Sequence, residues 1–399
     1  METGIPDLLR KEAGGYVPGD IKSGAGEESG GEDTDRKPKV HYAVQLALYV
    51  DILERLQLSA GRRAFVWDIH GEEVAYDLAA AQGPKKTETL WDEYLATLSE
   101  ARAILSRTMT PQGAYASACK LCNWHTFCLA QLTAADDLTL IPFLGRSLRD
   151  AMQTTIPTIG ELAESNPDGF IDGKKTFFKG VGPDRLRLFQ ARAAMLKALV
   201  PKPYLRAAIS LKIVPVELFF DIEVDPLRDI CYLHGIVERH DGDNGSERFV
   251  SFFAETVTTE AERDAFAGAI AYFSNHPMSV IYYYSKYERT IYRKLQAKYP
   301  DVCSADDIER LFDPARAIDL YGDVVLKATE WPTRDYSIKT LARYLGFTWR
   351  DAHPSGAASI EWFDRWCREQ APEVRQQILD YNEDDCRATR VLLDGIRSL

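Results

Sequence analysis

The sequence predicts an α/β protein of two or three domains, and three observations lead there. At 399 residues the chain is longer than one ordinary hydrophobic core accommodates. From about residue 205 to the C-terminus, strand-like and helix-like stretches alternate, which calls for a sheet covered by helices on both faces. Between residues 138 and 200 the texture changes to short helices broken by glycine-containing turns, none long enough to be a domain core. A hydrophobic content of 45% with 11% aromatics is that of a well-packed soluble protein. No stretch approaches the roughly 18 apolar residues of a membrane span, and Met1-Glu2-Thr3-Gly4 lacks signal-peptide features, so the expected location is the cytoplasm. Seven cysteines, three clustered and four scattered, argue for a reducing compartment rather than a disulfide framework.

Taken in order, residues 16–22 read as a short strand. Residues 23–39 read as a mobile glycine-rich acidic loop that interrupts a domain without ending it. Residues 41–56 carry helical apolar spacing. Residues 63–69 and 73–78 form a hairpin around His70-Gly71-Glu72, and 90–106 is a second helix. Further on, glycine turns fall at Pro142-Phe143-Leu144-Gly145 and at Lys179-Gly180-Val181-Gly182-Pro183. These two stretches resemble helix-hairpin-helix units, a resemblance that implies backbone N–H groups offered to a phosphate at a helix start, with Lys179, Gly180, Gly182 and Arg185 as the contact set. A plain helix–helix turn is the alternative for the first. The formal net charge of −12 does not exclude nucleic acid, because distribution matters more: residues 172–212 hold ten Lys and Arg against two acids, a candidate phosphate-binding stripe.

The apolar run 213–220 ends in Asp221-Ile222-Glu223. Residues two apart on a strand share a face, so both carboxylates point one way, roughly 7 Å apart along the chain. Their repulsion is on the order of 2 to 3 kcal/mol, which either raises a pKa or is offset by a cation. An isolated Asp-x-Glu is ordinarily a solvated strand end. Here Tyr381-Asn382-Glu383-Asp384-Asp385 answers it from a stretch with helical periodicity, and Tyr381 and Asp385, four apart, share a helix face.

This combination resembles the DnaQ-like 3′-5′ exonucleases with an RNase H-like three-layer α/β/α fold, in the branch that ends in Tyr-x-x-x-Asp. The resemblance implies a third acidic position between the two motifs. Glu288, at the strand-to-helix passage Val280-Ile281-Tyr282-Tyr283-Tyr284-Ser285-Lys286-Tyr287-Glu288, occupies it where the family has Asp. Two Mg2+ or Mn2+ ions would then lie on Asp221, Glu223, Glu288 and Asp385, with Tyr381 orienting the attacking water. Asp319, in Ala317-Ile318-Asp319-Leu320-Tyr321, is expected to support rather than ligate.

Near the N-terminus, Pro6-Asp7, Asp20-Ile21-Lys22 and Gln45-x-x-x-Tyr49 follow one another. In order and spacing they resemble the PD-(D/E)xK nucleases with the RecB-type motif. That likeness implies Asp7 and Asp20 as metal ligands, Lys22 beside the attacking water, and Gln45 and Tyr49 framing the site from one helix face. Cys119-Lys120-Leu121-Cys122 followed by Cys128 matches the Cys-x2-Cys-x5-Cys that closes the domain of iron–sulfur members, implying a [4Fe-4S] cluster on Cys119, Cys122 and Cys128. The family's first cysteine and an active-site histidine lie upstream of Pro-Asp, where this chain has five residues, so the sequence reads as N-terminally truncated, with one cluster ligand missing. His125 is a conceivable substitute. Core packing is the plain alternative for the thiols.

The whole resembles RecB-family nucleases that fuse an iron–sulfur PD-(D/E)xK domain (1–132), a helix-hairpin-helix-like linker (133–204) and a YprB-like RNase H domain (205–399). Tyr336-Ser337-Ile338-Lys339-Thr340-Leu341, read as the start of a helix beneath the site, belongs to the same resemblance. The implied activity is metal-dependent hydrolysis of DNA single strands or 3′ ends, in repair, recombination or defence, with RNA open as a substrate. The sequence holds no Gly-x4-Gly-Lys-Ser/Thr loop, so any helicase is a separate chain. Two other readings stand beside this one: a single-strand nuclease acting through the N-terminal site, as in CRISPR-type processing, and a non-catalytic DNA-binding scaffold.

Overall fold

Two compact units make up the protein, Met1–Gln112 and Gly113–Leu399. The computed structural model describes residues 4–28, 37–81, 87–211 and 213–399. The cysteine segment, grouped with the N-terminal domain by sequence, falls in the second unit together with the helical stretch and the C-terminal sheet.

In the first unit, four strands stand in the order β1 (Leu8–Glu12), β2 (Gly15–Ile21), β3 (Arg63–Trp67), β4 (Glu73–Asp77). β2 and β3 run parallel and the outer pairs antiparallel. The edge strand β1 has no clear alternation in Leu-Leu-Arg-Lys-Glu, which is why sequence reasoning passed over it. Helix α1 (Val40–Arg55) buries Ala43, Leu46, Ala47 and Val50, the i, i+3, i+4, i+7 stripe of an amphipathic helix, and packs them on Ala64, Val66 and Tyr76 beside α2 (Leu90–Leu105). Within the stretch read as a loop, Glu27–Glu28 pairs with Lys37–Pro38, and residues 29–36 lie outside the described residues.

The second unit opens with α3 (His125–Ala134), α4 (Arg146–Met152), α5 (Ile159–Glu164) and α6 (Pro183–Lys197), which share one apolar cluster. Gly180 has φ +80°, and Gly182 with Pro183 starts α6, as the turn residues require. The segment before this turn, however, is a two-residue strand pair, Ile171–Asp172 with Lys175–Thr176, not the helix that a helix-hairpin-helix needs.

The larger sheet has the order β7 (Asp243–Phe253), β6 (Ile230–His240), β5 (Val216–Asp225), β8 (Val280–Tyr283), β9 (Ala317–Asp319). β5 is central, antiparallel to β6 and parallel to β8. Its alternation sorts the core. Leu218, Phe220 and Ile222 face a cluster holding Phe266 and Phe273 of α7 (Thr259–Ser274) and Ile291, Tyr292 and Leu295 of α8 (Tyr287–Lys298). Phe219 points the other way, to Leu341 of α9 (Ile338–Tyr344) and Cys386, Leu392 and Leu393 of α11 (Pro372–Arg397). Between these two helices, α10 (Gly356–Glu369) packs Phe363 and Trp366 against Tyr232 of β6. The result is the expected helix–sheet–helix layering, and by parity it sends Asp221 and Glu223 to the α11 side. Among the described residues no helix is long and apolar enough to cross a membrane.

Candidate active site

On β5, Asp221 and Glu223 meet Asp385 of α11, and one carboxylate oxygen from each lies within 4.8 Å of the others. At that spacing each ionised pair repels by roughly 3 kcal/mol at an effective dielectric of about 20. Three such pairs demand protons or a cation. Burial and the charges of Asp385 and Glu223 push Asp221 well above the usual carboxylate range, and burial followed by the charge of Asp385 pushes Glu223 up to about 8. Burial also raises Asp385, against which the Lys339 ammonium works.

The cluster is held by neutral donors. Asn382 Nδ2 donates to Asp221 Oδ2 at 2.8 Å, and the indole N–H of Trp349 donates to Asp385 Oδ1 at 2.7 Å. Tyr232 and Ser359 share a 2.7 Å bond beside Glu223. Tyr381, 3% exposed, accepts a 2.6 Å bond from Lys339 Nζ. Asp221, Glu223, Tyr381 and Asp385 line a pocket of about 230 Å³ with Tyr287, Gly356 and Ile360. Hard oxygens of this number and closeness suit Mg2+ or Mn2+, and the Asn382 Oδ1, buried without a hydrogen-bond partner, shows that the local polar demand is not met by protein alone.

Glu288 does not join the trio, among the described residues, as the expected ligand set requires. It is buried at the start of α8, its Oε2 has no hydrogen-bond partner, and burial followed by the charge of Asp319 pushes it up to about 8. The chain enters α8 through Ser285 at φ +106°, a backbone state that carries no sequence signature. Asp319 is a turn anchor, its Oδ1 accepting from the backbone of Ser285 at 3.0 Å and of Gly322 at 2.9 Å. Because the folded state keeps Glu288 protonated below about 8 while an unfolded Glu releases its proton near 4.5, the raised pKa stabilises fully below 4.5 and that contribution is lost as pH rises through 8. Glu288 alone should therefore account for a loss of about 2 to 4 kcal/mol between pH 5 and pH 8 in urea unfolding of metal-free protein, and Glu288→Gln should lose less than the parent by about that amount.

Gly235, opposite Asp221 in the β5–β6 register, is required by Asn382: a Cβ there would stand 1.6 Å from Asn382 Oδ1 and 3.0 Å from Phe249 Cε2. Gly235→Ala should cost about 2 kcal/mol in denaturant unfolding. Combining it with Asn382→Ala should cost less than the two separate losses summed.

In the first unit the sequence-derived set converges. Asp7 Oδ2 accepts from the Ile21 amide at 3.0 Å, Lys22 Nζ pairs with Asp20 and donates to Gln45 Oε1 at 2.8 Å, and Gln45 Nε2 donates to the Tyr49 hydroxyl at 2.8 Å. Burial followed by its hydrogen bond with Asp7 raises Asp20, and the same bond lowers Asp7. The β2–β3 register and the i, i+4 spacing on α1 produce this convergence.

The basic stripe is not a uniform cationic face. Arg192 is buried on Glu330, Arg187 pairs with Asp168 and Asp184, Lys197 with Asp136, and Arg206 reaches Glu330. Arg185 donates to the Phe143 carbonyl at 3.3 Å and has no acidic partner among the described residues. Lys174, Lys175, Lys179 and Lys202 likewise have no ion pair among the described residues, and Lys212 lies outside them. Cys119, Cys122 and Cys128 are free thiols that do not gather closely enough for a single tetrahedral ion. His125 Nε2, three residues past Cys122, is buried without a hydrogen-bond partner.

Sequence reasoning missed Lys339, Asn382 and Trp349 as parts of the site. Lys339 and Asn382 stood inside quoted motifs, but their roles depend on contacts 42 and 161 residues away along the chain.

Residues 218–396 match a family model of the RNase_H superfamily, and residues 3–129 match one of the PD-(D/E)XK nuclease superfamily. Neither a curated protein nor a solved structure matches the chain. The fold and these two matches define a nuclease-class hydrolase acting on nucleic acids. More particularly, the chain carries a PD-(D/E)XK nuclease domain followed by an RNase_H superfamily domain, the fusion that the sequence motifs implied.

Proposed function

We propose that the protein is a metal-dependent exonuclease that releases nucleotides from DNA 3′ ends through Asp221, Glu223 and Asp385, in repair, recombination or defence. The observation that carries this reading is the meeting of those three carboxylates beside Tyr381 in one pocket of the RNase_H domain. Asp221, Glu223 and Asp385 would hold Mg2+ or Mn2+, which supplies Lewis acidity and neutralises charge on a phosphodiester. Tyr381 would orient the attacking water, Asn382 keeps Asp221 turned into the pocket, and Trp349 does the same for Asp385. Glu288, whose charge also works to raise Asp221, would be the fourth acidic group of the site. Arg185 and the unpaired lysines near Gly180 and Gly182 would hold backbone phosphates, and a helicase would act as a separate chain.

A second reading places cleavage of single strands in the Asp7, Asp20, Lys22, Gln45, Tyr49 network, and the contacts that join those side chains favour keeping it. An iron–sulfur cluster on Cys119, Cys122 and Cys128, with His125 as fourth donor, belongs to that reading, and visible absorbance of anaerobically purified protein tests it. The deciding experiment offers Mn2+ with 5′-end-labelled DNA and RNA strands. Asp221→Ala abolishes 3′ trimming under the first reading and Lys22→Ala abolishes cleavage under the second. Binding of either strand without cleavage by the parent protein leaves a nucleic-acid-binding scaffold.

A further inference from the structure

Lys339 is placed where local helix physics does not favour it. It sits in the first turn of α9, where the backbone dipole disfavours a cation, so the acidic cluster rather than the helix must hold it there. The placement is built from several sides. Ser337 caps α9 through the Thr340 amide, Asp335 Oδ1 accepts from the Ser337 amide at 3.0 Å and from its hydroxyl at 2.7 Å, and Leu341 and Ala342 are buried. Lys120, in the cysteine segment, pins the same corner by reaching Ser337 Oγ at 3.1 Å and Asp335 Oδ2 at 3.1 Å.

From this fixed start the Lys339 ammonium reaches the Tyr381 hydroxyl at 2.6 Å and Asp385 Oδ2 at 3.8 Å, and it lies 4.8 Å from the centre of the Tyr381 ring. An ammonium can only donate, so the Tyr381 oxygen accepts from it and the phenolic proton must point elsewhere, toward Asp385.

We propose that Lys339 is a positioning residue of this site: it fixes which way the Tyr381 hydroxyl donates, and it is the resident cation that a divalent ion must outcompete for the carboxylates. This rests on the nuclease reading for its first half only. Its charge favours the ionised form of Asp221, Glu223 and Asp385 alike, which is the same demand a divalent ion would meet. The two halves predict opposite changes on removing the ammonium: divalent binding improves while turnover falls. A residue that merely stabilised the fold would weaken both.

The test uses the full chain with Asp7→Asn and Asp20→Asn, which removes the N-terminal carboxyl pair from the measurement. Calorimetric titration with Mn2+ should give tighter binding, by about tenfold, for Lys339→Met than for Lys339, with Lys339→Arg close to Lys339. Turnover on 5′-end-labelled DNA should fall about 10- to 100-fold in Lys339→Met with KM little changed, and recover in part in Lys339→Arg. Mn2+ affinity that is unchanged or weaker in Lys339→Met, or turnover unchanged by it, overturns the proposal. A parent protein without any turnover fails the nuclease reading instead, and the order of Mn2+ affinities still decides whether Lys339 is the competing cation.

Discussion

Asp221→Ala should abolish 3′ trimming, lowering turnover at least about a thousandfold, because it removes one of three oxygens that close on the same point. The isosteric Asp221→Asn should lose turnover to a similar degree while the metal-free thermal midpoint holds or rises by about 2 to 4 °C. The reason is that Asp221 is enclosed beside Asp385 and Glu223, and their mutual repulsion works against the fold when no cation is present. A variant that loses activity yet gains stability separates chemistry from folding. A midpoint that fell by several degrees together with retained trimming would remove Asp221 from the chemistry and leave it a structural role.

The largest effect on stability is expected at Glu330. This fully buried carboxylate takes two bonds from Arg192, at 2.7 and 3.2 Å, and one from the Tyr336 hydroxyl at 2.7 Å. Arg192 in turn donates to the Pro142 carbonyl at 3.0 Å and lies over the rings of Phe143 and Tyr336. Removing one partner strands the other charge out of water, so Glu330→Leu should cost about 3 to 5 kcal/mol in urea unfolding. Glu330→Leu with Arg192→Met should recover most of that loss, since replacing both charges by apolar side chains of similar volume is nearly neutral. A double variant as unstable as the single one would mean that the hydrogen bonds to Pro142 and Tyr336, not the ion pair, hold this contact.

The parts of the site that were legible in the sequence are those whose placement follows from a short-range period. Asp221 and Glu223 share parity with Phe219, so whichever face takes Phe219 takes both acids. Tyr381 and Asp385 are one helical turn apart, as are Gln45 and Tyr49, and the structure brings each pair to one place. What stayed hidden depends on turns and on distant partners. A strand followed by a helix start brings Glu288 toward the other acids, but predicts neither the left-handed backbone at Ser285 nor that Glu288 stays outside the close trio. The ten basic residues of the 172–212 stretch could be counted, but whether each was spent on an acid could not, and Arg192 turned out to be a core residue. The Lys179–Gly182 turn was readable from its glycines, whereas the strand pair preceding it, two residues long, is below what periodicity can report.

The pin from Lys120 to Asp335 and Ser337 bears on how such a gene can be taken apart. Similarity to the first superfamily runs to residue 129, yet the molecule's own seam falls after Gln112, so the ancestry of the segment in between and its mechanical allegiance differ. Recombination or cloning that follows ancestry would deliver the RNase_H superfamily domain without Lys120, which holds Asp335 and Ser337 at the start of the Lys339 helix. A fragment beginning at Gly113 keeps the complete corner.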